Sequence, residues 1–397
     1  MIGVGIDVSK GKSTVCIMKP GGEVLQPPFE INHTADELEN LVRLIKSFDE
    51  EVRVILEDTG HYHLPIVSPL VENGIFVCCV NALRMKKFCS QSLRRAKTDK
   101  IDSIKIANFG LTYWNELTPT LPAGEIYHEL KLLARQYYQT VSLLVKAKVN
   151  LSNLLDQTMP NIQTVLADNK SNSKLTDFVA RYYHYSHILE MGEQGFTEDY
   201  CAWAKERGYR CNERKASQIF AIAQNGIPTL PNSISTQIAV SEAVKLIQFV
   251  DESRNIILSQ MQEFCKSLPE YTVIREMIGI GDTLAPRIIA EIGDVRRFKN
   301  KHSLVAYAGI DAPPFQSGTF NAAERHISKR GNSYLRKTGF EIMQCLIRLK
   351  PHNDPIYAFV QKKRNDGKCG KEAMIAGLNK FLRVYYGKVM ELYSTAA

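Results

Sequence analysis

Asp99 and Asp102 stand three residues apart in the run Lys97-Thr98-Asp99-Lys100-Ile101-Asp102-Ser103-Ile104-Lys105-Ile106-Ala107. Ile101, Ile104, Ala107 and Leu111 recur at helical spacing, so the run predicts a helix packed on a core. Both carboxylates then lie on one side of it. Two carboxylates that close repel each other unless a cation sits between them. Oxygen-only donors suit Mg²⁺, which takes one or two carboxylates and fills the rest of its shell with water and phosphate oxygens. The same pattern also describes a solvated acidic face beside lysines, so the pair needs company before it means a metal site. Asp7 and Glu57 supply that company, each closing a short apolar run, at 2–8 and 52–56. Functional groups of an open α/β sheet gather at the carboxyl ends of its strands. Four acids from three elements brought to one point make a metal-site geometry.

The elements that must position these acids are legible in order. Residues 2–8, 13–18 and 23–29 predict a strand meander, with a turn at Pro20-Gly21-Gly22. Thr34 is placed to cap a helix through residue 48, with Leu38, Leu41, Leu44, Ile45 and Phe48 on its buried side. A strand at 52–56, a helix at 64–72, a strand at 75–80 and the Asp99/Asp102 helix follow. A meander followed by alternating helix and strand is the order of the ribonuclease-H-like α/β fold. Actin-like and sugar-kinase ATPases also open with strand, aspartate, turn and strand. Their aspartate leads into a glycine-rich phosphate turn, and their subdomain is duplicated. Here Asp7 leads into Val8-Ser9-Lys10 and no second copy follows, which counts against an ATPase. His61-Tyr62-His63 reads as a loop beside the site, since zinc would need further His or Cys ligands.

The chain has 397 residues, more than one typical domain, and predicts two or three units. A net charge of +8 and a pI near 8.9 are compatible with nucleic acid without establishing it. Nine cysteines, an odd number without paired spacing, read as reduced thiols in a cytosol. The N-terminus shows no secretory leader, and no apolar stretch reaches the roughly 18 residues of a membrane span. The expectation is a soluble cytoplasmic protein.

Beyond Pro119 and Pro122 the pattern changes. Residues 126–155 and 236–264 carry apolar positions by threes and fours and predict two long helices, pairing as an antiparallel coiled coil within or between chains. Between them, at about 167–235, lies an insert with Arg181-Tyr182-Tyr183-His184-Tyr185 and Lys205-Glu206-Arg207-Gly208-Tyr209-Arg210. It reads as a small helical subdomain, or as aromatic and basic groups that stack on RNA bases. Gly279-Ile280-Gly281 between two helical stretches fits a helix-hairpin-helix. Its glycines let the turn approach a phosphate, and the next helix offers free N–H groups; a helix cap without a ligand is the other reading. Prolines and glycines then shape a loop, Ala308-Gly309-Ile310-Asp311-Ala312-Pro313-Pro314-Phe315-Gln316-Ser317-Gly318. Arg325, His326, Ser328, Lys329, Arg330, Asn332 and Arg336 follow, entering a helix at 334–349. An unactivated serine is a poor nucleophile. Held among Lys329, Arg330, Arg336 and a metal ion, Ser317 could attack a DNA phosphodiester, because cations stabilise charge on the transferring phosphoryl group; an ordinary loop serine is the reading that the residues alone favour.

Gly5-Ile6-Asp7-Val8-Ser9-Lys10, Leu56-Glu57 with Thr59-Gly60 and Tyr62, and Lys97 to Asp102 together resemble the DEDD recombinases, transposases related to the Piv DNA invertase. Gln316-Ser317-Gly318, Ile327-Ser328-Lys329-Arg330-Gly331-Asn332, Leu335-Arg336 and the tail from Gly367-Lys368 to Leu382-Arg383 resemble the transposase domain of the same family. The organisation expected is a RuvC-like catalytic domain at 1–122, a coiled-coil region with its insert at 123–268, and a C-terminal transposase domain at 269–397. The resemblance implies that Asp7, Glu57, Asp99 and Asp102 ligate Mg²⁺, or Mn²⁺ in its place, and that Ser317 becomes covalently linked to DNA. Gly279, Gly281, Lys329, Arg330 and Arg336 are the expected nucleic-acid contacts. The resemblance further implies a site-specific recombinase that moves its own insertion sequence in a prokaryotic cytoplasm, at the nucleoid. Its partners would be donor and target double-stranded DNA, a structured guide RNA, and further copies in a dimer or tetramer that shares active sites. Two departures stand out. Asp58 sits where the family has a small residue, and Ile310-Asp311-Ala312-Pro313-Pro314 is longer than the family's Gly-Leu-x-Pro. The rival readings are a RuvC-like junction nuclease that cuts with water and needs no Ser317, and a non-catalytic nucleic-acid-binding protein with structural acids.

Overall fold

The structure, a computed structural model, describes residues 1–58, 60–90, 98–120, 124–166, 173–313, 316–317, 320–321 and 326–395. The chain divides into two compact units, Met1–Ala123 and Gly124–Ala397.

The first unit is built on one mixed sheet. Strands β1 (Ile2–Val8), β2 (Lys12–Met18) and β3 (Val24–Asn32) form the antiparallel meander, and helix α1 (Ala35–Lys46) follows. Then come β4 (Val52–Glu57), α2 (Leu64–Glu72), β5 (Phe76–Val80), α3 (Ala82–Cys89) and α4 (Asp99–Thr112). The sheet order is β3-β2-β1-β4-β5, with β4 and β5 parallel to β1. This is the ribonuclease-H-like arrangement that the order of elements predicts. Alternation along the strands sends Val4, Ile6, Val54 and Leu56 to one face, where they share a core with Leu38, Leu41 and Ile45 of α1 and Ile66 and Leu70 of α2. Ile55 and Cys78 face the other way, toward Ile106 and Phe109 of α4. Thr34 occupies the cap position of α1 without a side-chain bond to it. Glu37 reaches back instead, accepting from Asn32 N at 2.6 Å and Asn32 Nδ2 at 2.7 Å.

Among its described residues, the second unit's regular elements are helices apart from one short hairpin. Helix α5 (Glu125–Thr158) is followed by α6 (Ile162–Leu166), α7 (Ser173–Arg181), α8 (Tyr185–Glu190), α9 (Gly192–Glu206) and α10 (Glu213–Asn225). Helix α11 (Ile234–Lys266) then runs back along α5. The pairing is antiparallel: Tyr127 and Leu130 of α5 share a core with Met261 and Cys265 of α11, while Leu151 and Leu155 share one with Val240 and Val244. Tyr182, Tyr185, Phe196, Tyr200 and Trp203 are buried in the core of the insert. Those rings are packed against each other and are not presented for stacking on bases. Cys201 and Cys211 form a disulfide across the α9–α10 corner, with Cα atoms 5.0 Å apart, so this pair departs from the expectation of reduced thiols. Ten residues of sequence hide the pairing, because only the turn at Gly208 (φ +71°) folds α10 back beside α9.

The chain ends in α12 (Pro269–Arg275), α13 (Leu284–Ile292), α14 (Lys301–Tyr307), the hairpin β6 (Gln316–Ser317) and β7 (Phe320–Asn321), α15 (Ser333–Leu349), α16 (Pro355–Asn365) and α17 (Gly370–Thr395). All nine residues of α13 are buried. It is the hub on which α5, α11, α12 and α15 pack.

Candidate active site

Asp7 is the last but one residue of β1, and Glu57 the last of β4. The parallel register pairs Gly5 with Ile55 and Ile6 with Leu56, which puts Asp7 level with Glu57 on the neighbouring strand. Residues two apart on a strand share a face. Asp7 therefore projects on the side of Gly5, and Glu57 on the side of Ile55. That side is the one α4 covers. A Cβ on Gly5 would lie 2.2 Å from Ala107 N and 2.2 Å from Ser103 O, and one on Gly3 would lie 2.9 Å from Leu111 Cγ. Gly5 is thus the residue that admits the helix onto the strand. The order of these contacts shows α4 running antiparallel to β1. Its first turn, with Asp99 and Asp102, reaches the Asp7 end of the strand.

Electrostatics agree with that placement. The Cys89 thiol, at the end of α3, is pushed up by burial, and also by the charges of Asp102, Glu57 and Asp7, against the opposing charge of Lys105. The charges of acids from β1, β4 and α4 are therefore all felt at this one thiol. Asp102 is about four-fifths buried and pairs with Lys105 Nζ at 3.5 Å. Asp99 is exposed, directly after Thr98, whose hydroxyl caps the helix by accepting from Ile101 N at 3.3 Å. Among the described residues, no three His, Cys, Asp or Glu side chains come close enough together to hold a metal ion. The acids share a face and an end of the sheet, all their donors are oxygen, and a lysine neutralises one of them. That donor chemistry fits a hard divalent cation. Lys97 and Thr59 lie outside the described residues. Asp58 is exposed, and His63 Nδ1 is 3.8 Å from its carboxylate.

In the second unit, Ser317 lies in β6, opposite Phe320 of β7. Gly318 and Arg325 lie outside the described residues. The two stems of this loop are clamped together: Ser328 N donates to Asp311 O, Lys329 N to Gly309 O and Asn332 N to Tyr307 O, at 2.9, 2.9 and 2.7 Å. Gly309 (φ +66°) and Gly331 permit the approach, since a Cβ on Gly331 would lie 2.3 Å from Tyr307 O. Arg336 Nη1 donates to Ala308 O at 2.9 Å. Lys329 and Arg330 are exposed beside it. Arg336 also lines a shallow hollow along α15 with Ser333, Lys337, Phe340 and Glu341. Gly279 has φ +92°, and a Cβ there would approach Leu346 N at 3.2 Å, so its contact is with the backbone of α15. Gly281 is flanked by Asp282, which pairs with Arg275 at 2.9 Å.

Comparison with known families bears on this arrangement. Residues 4–160 match a family model for a DEDD transposase of the IS110 type, described as a transposase. Residues 271–358 match a second, described as "Transposase IS116/IS110/IS902 family". The chain belongs to the IS110/IS116 family of transposases. Among relatives, this transposase is 22% identical over 376 residues to an insertion element IS116 uncharacterized 44.8 kDa protein of Streptomyces clavuligerus, covering 94% of this chain and 91% of that one. It is 28% identical over 113 residues to the pilin gene-inverting protein of Moraxella bovis, covering 28% of this chain and 34% of that one. Among solved structures, a chain titled "T. thermophilus RuvC in complex with Holliday junction substrate" aligns with 11% identity and a TM-score of 0.24, covering 30% of this transposase and 99% of that chain.

The acids and the serine are legible in the sequence; most of what surrounds them is not. Lys105 is in the quoted run, three residues after Asp102, and its spacing alone could have nominated it as a partner. Cys89 and Glu291 carry no local signal, because their neighbours come from elements far away in the chain; Asn332 stands in the quoted run ahead of its helix, but its bond to Glu291 leaves no mark in the sequence.

Proposed function

We propose that this transposase is a site-specific DNA recombinase of an insertion sequence, cutting and rejoining strands through a phosphoserine link. The observation that carries the reading is the placement of Asp7 and Glu57 level with each other on the face over which α4 brings Asp102. Asp7, Glu57, Asp99 and Asp102 would hold Mg²⁺, or Mn²⁺ in its place. When bound, the metal polarises the scissile phosphate and stabilises the leaving oxygen.

Ser317 Oγ attacks the scissile phosphorus. An O–P bond to serine forms, the bond to the leaving sugar oxygen breaks, and the serine proton passes to solvent while the leaving oxygen takes one up. The number of phosphodiester bonds is unchanged, so a free hydroxyl of another strand can reverse the step without ATP. Lys329, Arg330 and Arg336 neutralise the phosphates on either side, and the Gly279–Gly281 turn, read as a helix-hairpin-helix, contacts the backbone. Paired α5 and α11, read as a coiled coil, build the dimer or tetramer in which the Ser317 of one copy completes the acidic site of another. A structured RNA from the same element pairs with donor and target DNA, and the protein works in the cytoplasm at the nucleoid. Among the described residues no helix is long and apolar enough to cross a membrane.

The test is strand cleavage by Asp7→Asn, Glu57→Gln and Asp102→Asn. Neutral amides keep the shape and forfeit the charge that holds a divalent cation. Cleavage should vanish while folding and nucleic-acid binding persist. Metal-dependent cleavage at the wild-type rate by Asp7→Asn would remove that residue from the site.

A further inference from the structure

A polar network joins the stems at residues 307–311 and 328–332 to α13, in a core that also holds the buried Arg287, paired with Glu341. Glu291 of α13 is 1% exposed. A buried carboxylate is costly unless it is paired and hydrogen-bonded. Its partners come from two directions. Arg135 of α5 forks onto it, Nη1 to Oε1 and Nη2 to Oε2, the latter at 3.1 Å, and the guanidinium also lies 3.9 Å from the ring centre of Tyr334. Asn332 Nδ2 donates to Glu291 Oε2 at 2.7 Å and to Tyr307 Oη at 3.2 Å. The other end of the same side chain caps α15, Oδ1 accepting from Tyr334 N at 2.9 Å and Leu335 N at 3.0 Å.

Asn332 therefore uses both amide hydrogens and its carbonyl oxygen at once. It stands where the returning stem of the loop meets α15, and its own N–H donates to Tyr307 O on the outgoing stem. Three residues earlier Lys329 holds φ +52°, a left-handed conformation that persists in a non-glycine residue only when its surroundings impose it. We infer that Asn332 is a positioning residue. Locked by Glu291 and Arg135, it fixes the two stems at residues 307–311 and 328–332 and so sets where Ser317 is presented. The inference rests on the reading of Ser317 as the nucleophile.

The side-chain chemistry gives a sharp test. Asn332→Asp keeps the size and the capping oxygen. It loses both amide donors and sets a second carboxylate against Glu291. Glu291→Gln in the same chain restores a donor facing an acceptor and leaves the net charge as it was. Purified full-length variants, supplied with the RNA and DNA ends of the element, are compared for single-turnover adduct formation and for DNA affinity. Asn332→Asp should form adduct about 100-fold more slowly, the loss typical of a misplacement near 1 Å, with DNA affinity within about twofold. The double variant should recover at least about tenfold of that loss.

A wild-type rate for Asn332→Asp, or a double variant no faster than the slower single, overturns the inference. Amide hydrogen exchange at Ser328 and Lys329 supplies a reading that does not depend on the serine: faster in Asn332→Asp, restored in the double variant. Unchanged exchange in Asn332→Asp also overturns it. Should Asn332→Asp fail to fold, Glu291→Gln and its recovery in the double variant are read in the same way. Ser317→Ala, run alongside, separates the two ideas. Adduct formed by Ser317→Ala refutes the serine reading, and the exchange data then decide the network.

Discussion

Substituting one methyl group at Gly5 should disable a site two residues away. In Gly5→Ala the new Cβ lies 2.2 Å from Ala107 N and from Ser103 O, both backbone atoms of α4. Neither can rotate aside. Restoring the 3.4 Å of ordinary contact drives the helix off the strand by about 1 Å. Overpacking of this kind costs about 1–3 kcal/mol of stability. The larger effect is on chemistry, because Asp102 rides on the displaced helix, and a 1 Å misplacement costs on the order of 100-fold in rate. The control is Gly74→Ala. Gly74 has φ +75° and open space around it, so the variant carries backbone strain of about 1–2 kcal/mol without touching α4. Denaturant unfolding should show both variants destabilised by similar amounts, whereas strand cleavage should collapse only in Gly5→Ala. Equal cleavage by the two variants would refute the claim that α4 positions Asp102 through Gly5.

Other outcomes follow from the same geometry. Lys105→Met removes the cation 3.5 Å from Asp102, and should lower the metal concentration needed for half-maximal cleavage, as read from a Mg²⁺ titration. DNA affinity should fall as salt rises, and replacing Lys329 or Arg330 by Ala should reduce the slope of log K against log salt by about 1; an unchanged slope removes that residue from the phosphate contacts. Burial pushes the Asp199 carboxyl up, but hydrogen bonds from Arg181 and Tyr182 together with the Arg181 charge outweigh it and hold the group below the usual carboxylate range. A depressed folded pKa gives stability that is present above the unfolded value and lost as pH falls through the folded one, so Asp199→Asn should flatten acid unfolding of the α7–α10 region. Mixing Asp7→Asn with Ser317→Ala protein should restore cleavage if active sites are shared; a dead mixture with protomer exchange demonstrated would exclude sharing.

The regular elements of the first unit could be read because their periodicities are strong. The 2–8 and 52–56 runs are mostly apolar, broken by Asp7 and Arg53, and the 34–48 stretch keeps one buried stripe. Helix α3 shows no stripe in the sequence, because its eight residues carry one buried side chain, Met85. The β6–β7 hairpin has two residues per strand, too short for alternation to register. The acids were legible as types at strand ends. What made them one neighbourhood was the seat of α4 on Gly5, a contact between residues about a hundred positions apart. The same holds for Arg135, Glu291 and Asn332, which meet from α5, α13 and the cap of α15. The aromatic run near Tyr182 has an unusual composition that fits either a small helical subdomain or stacking on bases. Burial of those rings shows that composition reporting on a core.

The most direct measurement is the chemical identity of the bond between protein and DNA. Wild-type protein is incubated with Mg²⁺, the RNA and the DNA ends of its element, denatured, digested, and mapped by peptide mass spectrometry. The account predicts a nucleotide attached through phosphate to the peptide that contains Ser317, absent from Ser317→Ala and from Asp7→Asn. Cut DNA with free ends, no modified peptide, and undiminished cutting by Ser317→Ala would contradict it and leave a junction nuclease that uses water.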